Sequence, residues 1–369
     1  MHNGTLYCQQ SLNKRKEEGR LRRLQPKSEG IDFYSNDYLG LARNAELQKI
    51  LLKNVNDHPE LLSGSTGSRL ISGNSSVALK TEEFIAEKHQ FPAALLFPSG
   101  YNANLALFSS ILSRHDTIIV DEQVHRSVHD ACKMSNAKKL KFRHNDLEDL
   151  ERVLQRQNGP YYIAIESLYS MEGDFAPILE IVEMARQYGA GVIVDEAHSF
   201  GVLGYGLIEK YQLQDKVFAA VVTYGKALGA HGAAILCNKT VKEYLVNFAS
   251  PFIYTTSVQD FQWMSIKKGY EFLETHQDLN VRLQENIKTF INQGLSSPSS
   301  DGSPVQAIII PDNLKLKTLQ NTLTDKGFLT YAVYSPTVKA GSERLRICLH
   351  SFNTEEEIMK LTGIIKEFI

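Results

Sequence analysis

Two short strand-like segments of this sequence each lead into side chains that can take part in catalysis. One runs into Asp195-Glu196-Ala197-His198 and the other, about 30 residues later, into Thr223-Tyr224-Gly225-Lys226. In an open α/β sheet, ligands bind outside the carboxyl ends of the strands. We therefore expect a carboxylate, an imidazole, a hydroxyl and an amine to face one crevice.

These groups are the ones that pyridoxal 5′-phosphate requires. The cofactor needs an amine to bind its aldehyde carbon, a carboxylate to keep its pyridine nitrogen protonated, and hydroxyl or backbone donors for its phosphate. Lys226, Asp195 and Thr223 supply them. Taken singly, each residue says little, because an aspartate after a strand commonly caps a helix and a lone lysine is usually solvated. Their combination predicts a pyridoxal phosphate site with Lys226 and Asp195 as catalytic residues.

The elements that must position these residues form an alternating pattern. Helix-compatible stretches separate several short apolar runs, which predicts crossover connections between parallel strands. Parallel strands are buried on both faces. The fold class is therefore α/β, with a mostly parallel central sheet and helices on both faces. The predicted strands are Ala93 to Phe97, Thr117 to Val120, Tyr162 to Glu166, Gly191 to Val194, Phe218 to Val222 and Ala233 to Cys237.

The C-terminal part of the chain has a different pattern. A helical pattern runs from Gln259 to about Asn292, and the Ser/Gly/Pro-rich stretch 294–304 breaks it before the strand-like Val305 to Ile310. We expect a helix over 313–326, a strand over 344–350, a closing helix over 354–368, and an exposed N-terminal helix reaching about Gln25. The predicted division is an N-terminal helical segment (1–40), a large cofactor-binding domain (41–280) and a small C-terminal α+β domain (281–369).

Composition excludes several classes of protein. The 369 residues are too many for one usual hydrophobic core, and a 43% hydrophobic content can fill two lobes. The 40 basic and 42 acidic residues leave no excess charge to favour nucleic acid. The four cysteines show neither metal-ligand nor disulfide spacing, and no apolar run is long enough for a signal peptide or a membrane span. We expect a cytoplasmic enzyme without a metal, a nucleic-acid partner or a membrane anchor.

The chain resembles the α-oxoamine synthase family, a branch of the fold-type I pyridoxal phosphate enzymes. The resemblance extends over nearly the whole length, and so many motifs in the same order are improbable by chance. The matching motifs are Ser35-Asn36-Asp37-Tyr38-Leu39-Gly40, the segment from Gly67 to Asn74, Ser99-Gly100-Tyr101-Asn102-Ala103-Asn104, the segment from Glu166 to Asp174, the segment from Val194 to Gly201, and Thr223 to Gly229.

The resemblance implies how the phosphate is held. Gly100 and Tyr101 would form the turn that opens a helix beneath it, where unpaired N–H groups and the helix dipole favour an anion. Thr223 would add a hydroxyl, and Thr256 would add another from a neighbouring subunit. The family resemblance thus implies a homodimer with shared active sites.

Other residues would contact the pyridine ring and the substrate. His125 resembles the histidine that stacks on the ring, while His198, with Ser170 beside it, resembles the partner of the phenolic oxygen. Either histidine could help polarise an acyl carbonyl. Substrate-binding residues implied by the resemblance are Arg346, whose planar guanidinium suits a carboxylate, together with Asn36, Arg22 and Thr337.

The resemblance implies a decarboxylative condensation of an amino acid with an acyl thioester. The overall likeness favours L-alanine and a pimeloyl thioester, carried on acyl carrier protein or coenzyme A. Alternatives within the family are condensation of glycine with acetyl-coenzyme A, serine palmitoyltransferase and 5-aminolevulinate synthase. A fold-type I aminotransferase would use the same lysine to exchange nitrogen, and a partner subunit without activity would be a non-catalytic alternative.

Overall fold

The strands are short and apolar, as expected for strands covered on both sides. The computed structural model describes residues 3–17, 21–22, 24, 26, 29–156 and 159–369. The strands in these ranges are β1 Ile31–Asp32, β2 Ala93–Phe97, β3 Thr117–Asp121, β4 Lys138–Phe142, β5 Tyr161–Glu166, β6 Gly191–Asp195, β7 Ala219–Thr223, β8 Ala233–Cys237, β9 Val305–Ile309, β10 Phe328–Leu329, β11 Tyr331–Val333 and β12 Arg344–Cys348.

The helices lie between the strands and after them. Those in the described ranges are α1 Asn3–Glu17, α2 Ala45–Asp57, α3 Ser76–Lys88, α4 Gly100–Ser110, α5 Arg126–Met134, α6 Leu147–Gln155, α7 Ile178–Tyr188, α8 Leu207–Lys210, α9 Lys239–Phe248, α10 Ser250–Ile253, α11 Asp260–Thr275, α12 Asp278–Ile291, α13 Asn313–Asp325 and α14 Glu355–Phe368. Within these ranges, no helix has both the length and the apolar character needed to cross a bilayer.

The large sheet has the strand order β2-β8-β7-β6-β5-β3-β4. The neighbouring pairs among β3 to β7 are parallel, and β8 runs antiparallel to both β2 and β7. The predicted α/β fold with a mostly parallel sheet is thus confirmed. This direction places the carboxyl ends of β3, β5, β6 and β7 along one edge of the sheet.

The C-terminal part of the chain forms a separate antiparallel sheet of order β11-β12-β9. The short strand β1 pairs in parallel with β10, so residues near the N-terminus bind to the C-terminal part of the chain. The Cys348 N–H also donates to the Phe33 carbonyl at 2.8 Å. The domain boundaries given above stay a prediction.

The structure contains strands that the prediction lacked, and one predicted helix is divided. Strand β4 and the short strands β1, β10 and β11 were absent from the prediction. The helix expected from Gln259 to Asn292 is two helices, α11 and α12. The break follows from side chains that bind the last carbonyls of α11: His276 Nδ1 lies 2.9 Å from the Phe272 carbonyl oxygen, and the Thr275 hydroxyl donates to it at 3.0 Å. At the N-terminus α1 ends at Glu17, and Gln25 lies outside the described residues.

Candidate active site

The ends of neighbouring strands bring acidic and basic side chains together. Glu166 ends β5 and lies directly beside Asp195, which ends β6. Thr223 ends β7, and Lys226 follows it three residues later. His125 follows β3 and is the N-cap of α5. The crevice expected from the sequence is therefore present at this edge of the sheet.

Lys226 is a partly buried amine between charged groups. Burial lowers the pKa of Lys226 to about 8, although the negative charges of Asp195 and Glu166 oppose that change. At pH 7 about one tenth of such an amine is neutral, which is far more than for a solvated lysine. A neutral amine at this position can bind a carbonyl carbon or accept a proton.

The Asp195 carboxylate is held by hydrogen bonds on both oxygens. Oδ1 accepts the Ala197 N–H at 3.0 Å, and Oδ2 accepts from Asn104 Nδ2 at 2.8 Å. The residue is 8% exposed. A fixed and almost buried carboxylate of this kind can hold a proton on an adjacent ring nitrogen.

His125 is fixed by its own loop and by Glu166. Its backbone N–H donates to Glu166 Oε1 at 2.5 Å, and its Nδ1 lies 2.8 Å from the Ser127 hydroxyl. Partial burial of the ring lowers the pKa of His125. The negative charge of Asp195 acts in the opposite direction and raises this pKa, whereas the positive charge of Lys226 lowers it further. The ring remains exposed on its other side.

His198 is a buried neutral imidazole in contact with a tyrosine. Its Nδ1 lies 2.7 Å from the Tyr38 hydroxyl, which donates to Asn36 Oδ1 at 3.2 Å. Burial depresses the pKa of His198 well below its usual value, and the cations Lys226 and Arg346 depress it further. His198 is therefore uncharged at neutral pH.

Arg346 is a buried cation fixed by three hydrogen bonds. Nε donates to the Ser170 carbonyl at 2.7 Å, Nη2 to Asn36 Oδ1 at 2.9 Å and Nη1 to Cys348 Sγ at 2.9 Å. The residue is 4% exposed. The Tyr38 hydroxyl also forms a hydrogen bond with the guanidinium. A guanidinium has five N–H donors, so at least one remains to bind a carboxylate.

Gly100 lies at the N-terminus of α4 against Thr223. A Cβ at Gly100 would come within 2.5 Å of Thr223 Oγ1, so this position admits no larger residue without a shift. The Ser99 hydroxyl caps the helix by accepting the Asn102 N–H at 3.3 Å. In the described hydrogen bonds, the N–H groups of Gly100 and Tyr101 have no backbone acceptor. These donors and the Thr223 hydroxyl suit a phosphate.

Other residues predicted for the site lie at its edge in the single chain. Tyr101 is 43% exposed, and its hydroxyl donates to Asp130 at 3.1 Å. Thr256 is exposed and pairs with Ser68 through an isolated β-bridge. Arg22 and Thr337 are exposed, and the described hydrogen bonds join neither of them to the residues above. The assignments of all four residues stay proposals.

Two buried residues of the site were not predicted from the sequence. Asn104 bridges Asp195 and Ser127, and Glu166 accepts the backbone N–H groups of His125 and Ser170. Burial and the neighbouring Asp195 raise the pKa of Glu166 to about 8. Glu166 had a detectable signal, since it is a charged residue at the end of an otherwise uncharged strand. Asn104 did not stand out, because α4 also contains Asn102 and two serines.

The residues present fit pyridoxal 5′-phosphate. Lys226 offers an amine with a lowered pKa, and Asp195 offers an oriented carboxylate. The start of α4 and Thr223 form a phosphate-binding turn, in which a Cβ at Gly100 would collide with Thr223. The fold and this site together define a fold-type I pyridoxal phosphate enzyme.

Comparisons with known proteins agree with that class. Residues 28–365 match the family described as aminotransferase class I and II. An 8-amino-7-oxononanoate synthase of Emericella nidulans is 38% identical over 93% of this chain and 90% of the relative. A putative 8-amino-7-oxononanoate synthase of Bacillus licheniformis is 35% identical over 97% of this chain and 94% of the relative.

Solved structures give the same result. An 8-amino-7-oxononanoate synthase of Francisella tularensis has a TM-score of 0.79 at 29% identity, over 92% of this chain and 97% of that one. A serine palmitoyltransferase of Sphingomonas wittichii has a TM-score of 0.85 at 26% identity, over 92% of this chain and 87% of that one. The chain belongs to the aminotransferase class I and II family and, within it, to the α-oxoamine synthases, which are pyridoxal phosphate-dependent acyltransferases.

Proposed function

We propose that this enzyme condenses L-alanine with a pimeloyl thioester, with loss of carbon dioxide, to give 8-amino-7-oxononanoate for biotin biosynthesis. The observation that carries the proposal is the buried guanidinium of Arg346 in the same crevice as Lys226 and Asp195, because this set binds an amino-acid carboxylate beside a reactive amine. The relatives named 8-amino-7-oxononanoate synthase, 31–38% identical over most of the chain, support the choice of substrates.

Lys226 acts twice in the proposed reaction. When bound, pyridoxal phosphate supplies an electron sink that stabilises negative charge at the amino-acid Cα. Lys226 would hold the cofactor through its aldehyde carbon, and its amine would be free again once the amino acid is bound. Because its pKa is lowered to about 8, the free amine can then accept the Cα proton at neutral pH.

Asp195, Arg346 and the two histidines orient the reactants. Asp195 would keep the pyridine nitrogen protonated, and Arg346 would bind the amino-acid carboxylate. His198, which is buried and has a lowered pKa, would bind the phenolic oxygen with Ser170. His125 would stack on the ring and would donate an N–H to the acyl carbonyl oxygen. This arrangement favours attack of the amino-acid Cα on the thioester, after which the thiol carrier leaves.

A homodimer that shares its active sites is part of the proposal. Large exposed apolar side chains support it, since Ile71 is 85% exposed, Tyr254 82% and Phe248 62% in the single chain. Thr256 is also exposed and lies two residues from Tyr254, and in the proposal a second copy brings its own Thr256 to the phosphate. Mixing Thr256→Ala and Lys226→Ala chains tests this idea, because only a shared site gives hybrid dimers an intact cofactor site.

The four cysteines, Cys8, Cys132, Cys237 and Cys348, are free thiols. Their state supports the proposal that the enzyme works in the reducing cytoplasm.

A panel of substrates tests the function. Cofactor-loaded protein is mixed with alanine, glycine or serine and with pimeloyl-, acetyl- or palmitoyl-thioesters, and the pimeloyl group is offered on both coenzyme A and acyl carrier protein. Thiol release and product mass are measured. Alanine with a pimeloyl thioester should react selectively. Preference for serine and palmitoyl-coenzyme A, which the likeness to serine palmitoyltransferase makes a second candidate, would overturn the proposal, as would amino transfer without thiol release.

A further inference from the structure

A chain of hydrogen bonds connects Asp195 to the ring of His125 through two residues that the proposed reaction does not use. Asn104 Nδ2 lies 2.8 Å from Asp195 Oδ2 and 3.0 Å from Ser127 Oγ, and Ser127 Oγ lies 2.8 Å from His125 Nδ1. Asn104 is 2% exposed and Ser127 is fully buried. These contacts are therefore shielded from bulk water.

The direction of each hydrogen bond follows from the chemistry of its atoms. A carboxylate only accepts and an amide NH₂ only donates, so Asn104 gives one hydrogen to Asp195 and the other to Ser127 Oγ. The opposite orientation of the amide would place its oxygen against the Asp195 oxygen. Ser127 Oγ already accepts a hydrogen, so its own hydrogen is free to go to His125 Nδ1.

A second donor also faces the same ring nitrogen. The Ser127 backbone N–H points to His125 Nδ1 at 3.3 Å, and through this contact His125 caps helix α5. Two donors facing one nitrogen require it to be unprotonated. The proton of the neutral ring is then on Nε2, the one polar atom of the His125 side chain for which the described residues provide no partner.

We propose that Asn104 and Ser127 are positioning residues that hold His125 as the Nε2–H tautomer, so that this N–H is the hydrogen-bond donor presented to the acyl carbonyl oxygen. The role of the donor rests on the proposed function, whereas the tautomer does not. The carboxylate that orients the cofactor ring thus also sets, through Asn104 and Ser127, which nitrogen of the histidine carries the proton.

The tautomer can be read directly by nuclear magnetic resonance. Protein labelled with ¹⁵N-histidine is studied with the cofactor bound and again after its removal, and the His125 signals are identified by their loss in His125→Gln. We expect a protonated Nε2 and an unprotonated Nδ1. Ser127→Ala removes the stronger donor, the serine hydroxyl, and should give a mixture of the two tautomers. Ser127→Thr keeps a hydroxyl and should restore the single Nε2–H tautomer. Asn104→Leu should shift the tautomer population in the same direction as Ser127→Ala.

A matched control is available on the same helix. Ser135→Ala also removes a serine hydroxyl, at the other end of α5. This hydroxyl donates to the Cys132 carbonyl at 3.0 Å and accepts the Ala137 N–H at 3.4 Å. It should leave the His125 tautomer and turnover unchanged. Ser127→Ala should lower kcat about tenfold, the rate factor for one lost hydrogen bond, with little change in KM for the amino acid. Ser127→Thr should recover most of the loss.

The outcomes separate this proposal from the proposed function. A wild-type His125 protonated at Nδ1, or an unchanged tautomer in Ser127→Ala, overturns the positioning role. Because the tautomer is measured without turnover, a protein that shows the expected tautomer but does not condense alanine with a pimeloyl thioester contradicts only the proposed function. If Asn104→Leu fails to fold, the Ser127 variants decide.

Discussion

Replacing Arg346 by lysine keeps the positive charge but removes the planar guanidinium, whose N–H donors point in several directions. The guanidinium reaches three fixed acceptors in different directions, the Ser170 carbonyl, Asn36 Oδ1 and Cys348 Sγ, and still has at least one N–H group for a carboxylate. A lysine ammonium has three donors on one atom and cannot reproduce this geometry. Arg346→Lys should therefore lose at least one charged hydrogen bond to the amino acid.

The size of the effect follows from that bond. A hydrogen bond to a charged group contributes ~1.5–3 kcal/mol, which corresponds to a rise of about 10- to 150-fold in KM for L-alanine. The loss affects the bound amino acid and the transition state alike, so kcat should change much less. Initial rates of thiol release at varied alanine concentration measure both quantities.

Arg344→Lys is the matched control for this prediction. Arg344 lies on the same strand and is also buried, but it donates to Glu172 Oε1 at 3.0 Å and to the Met171 carbonyl at 3.1 Å. Its replacement should reduce stability and leave KM for alanine unchanged. A folded Arg346→Lys enzyme with wild-type KM would refute the assignment of the carboxylate site, and an equal rise in both variants would show an effect of stability alone.

Three further predictions concern the cofactor site and its surroundings. Lys226→Ala should abolish turnover and leave the far-ultraviolet circular dichroism spectrum unchanged; retained condensation would disprove its role. Gly100→Ala should weaken cofactor binding at least about tenfold, since its Cβ would come within 2.5 Å of Thr223 Oγ1. Gly64→Ala is the control, because a Cβ there has no atom within 4 Å. Equal cofactor affinities of the two variants would contradict a phosphate site at Gly100. Burial by itself would lower the pKa of His144, but hydrogen bonds to two aspartates raise this pKa to about 10. That value is well above the ~6.5 of a histidine in an unfolded chain. Its contribution to the free energy of unfolding is complete below pH ~6.5 and is lost as the pH rises to about 10. Urea unfolding should therefore show that His144→Gln destabilises the protein at pH 6 and hardly at pH 10.5, and an equal loss at both values would contradict the charged imidazole.

The sequence predicts the fold well where strands are apolar on both faces. The ends of β2 and β8 match the prediction, because these strands are covered on both sides and contain no charge. Strand β4 was missed because three of its five residues are lysines. It forms the edge of the sheet, where lysines prevent pairing with another strand. Apolarity therefore identifies strands whose side chains are buried, including β2 at the opposite edge of the sheet, and overlooks a lysine-rich edge strand.

The site could be predicted only as far as its residues follow strands. Asp195 and Thr223 end strands β6 and β7, so the rule that ligands gather at these ends was sufficient for them. Asn104 is inside helix α4, and its role depends on the packing of that helix against α5, which no local pattern encodes. The bridge from Asn104 to Ser127 joins segments 23 positions apart in the chain and becomes visible only in three dimensions.

Burial, together with the positive charges of the site, explains why the pKa of each of its histidines is lowered. Lys226 and Arg346 are cations buried close to His198, and Lys226 also acts on His125, so a proton added to either ring would meet positive charge in a region of low dielectric constant. Asp195 partly offsets this for His125, yet its pKa remains lowered. A neutral imidazole has one donor and one acceptor, so its tautomer decides what it can bind. For His125 that choice depends on Ser127 and Asn104, and mutations of these two residues should therefore alter turnover without removing any group that contacts the substrate.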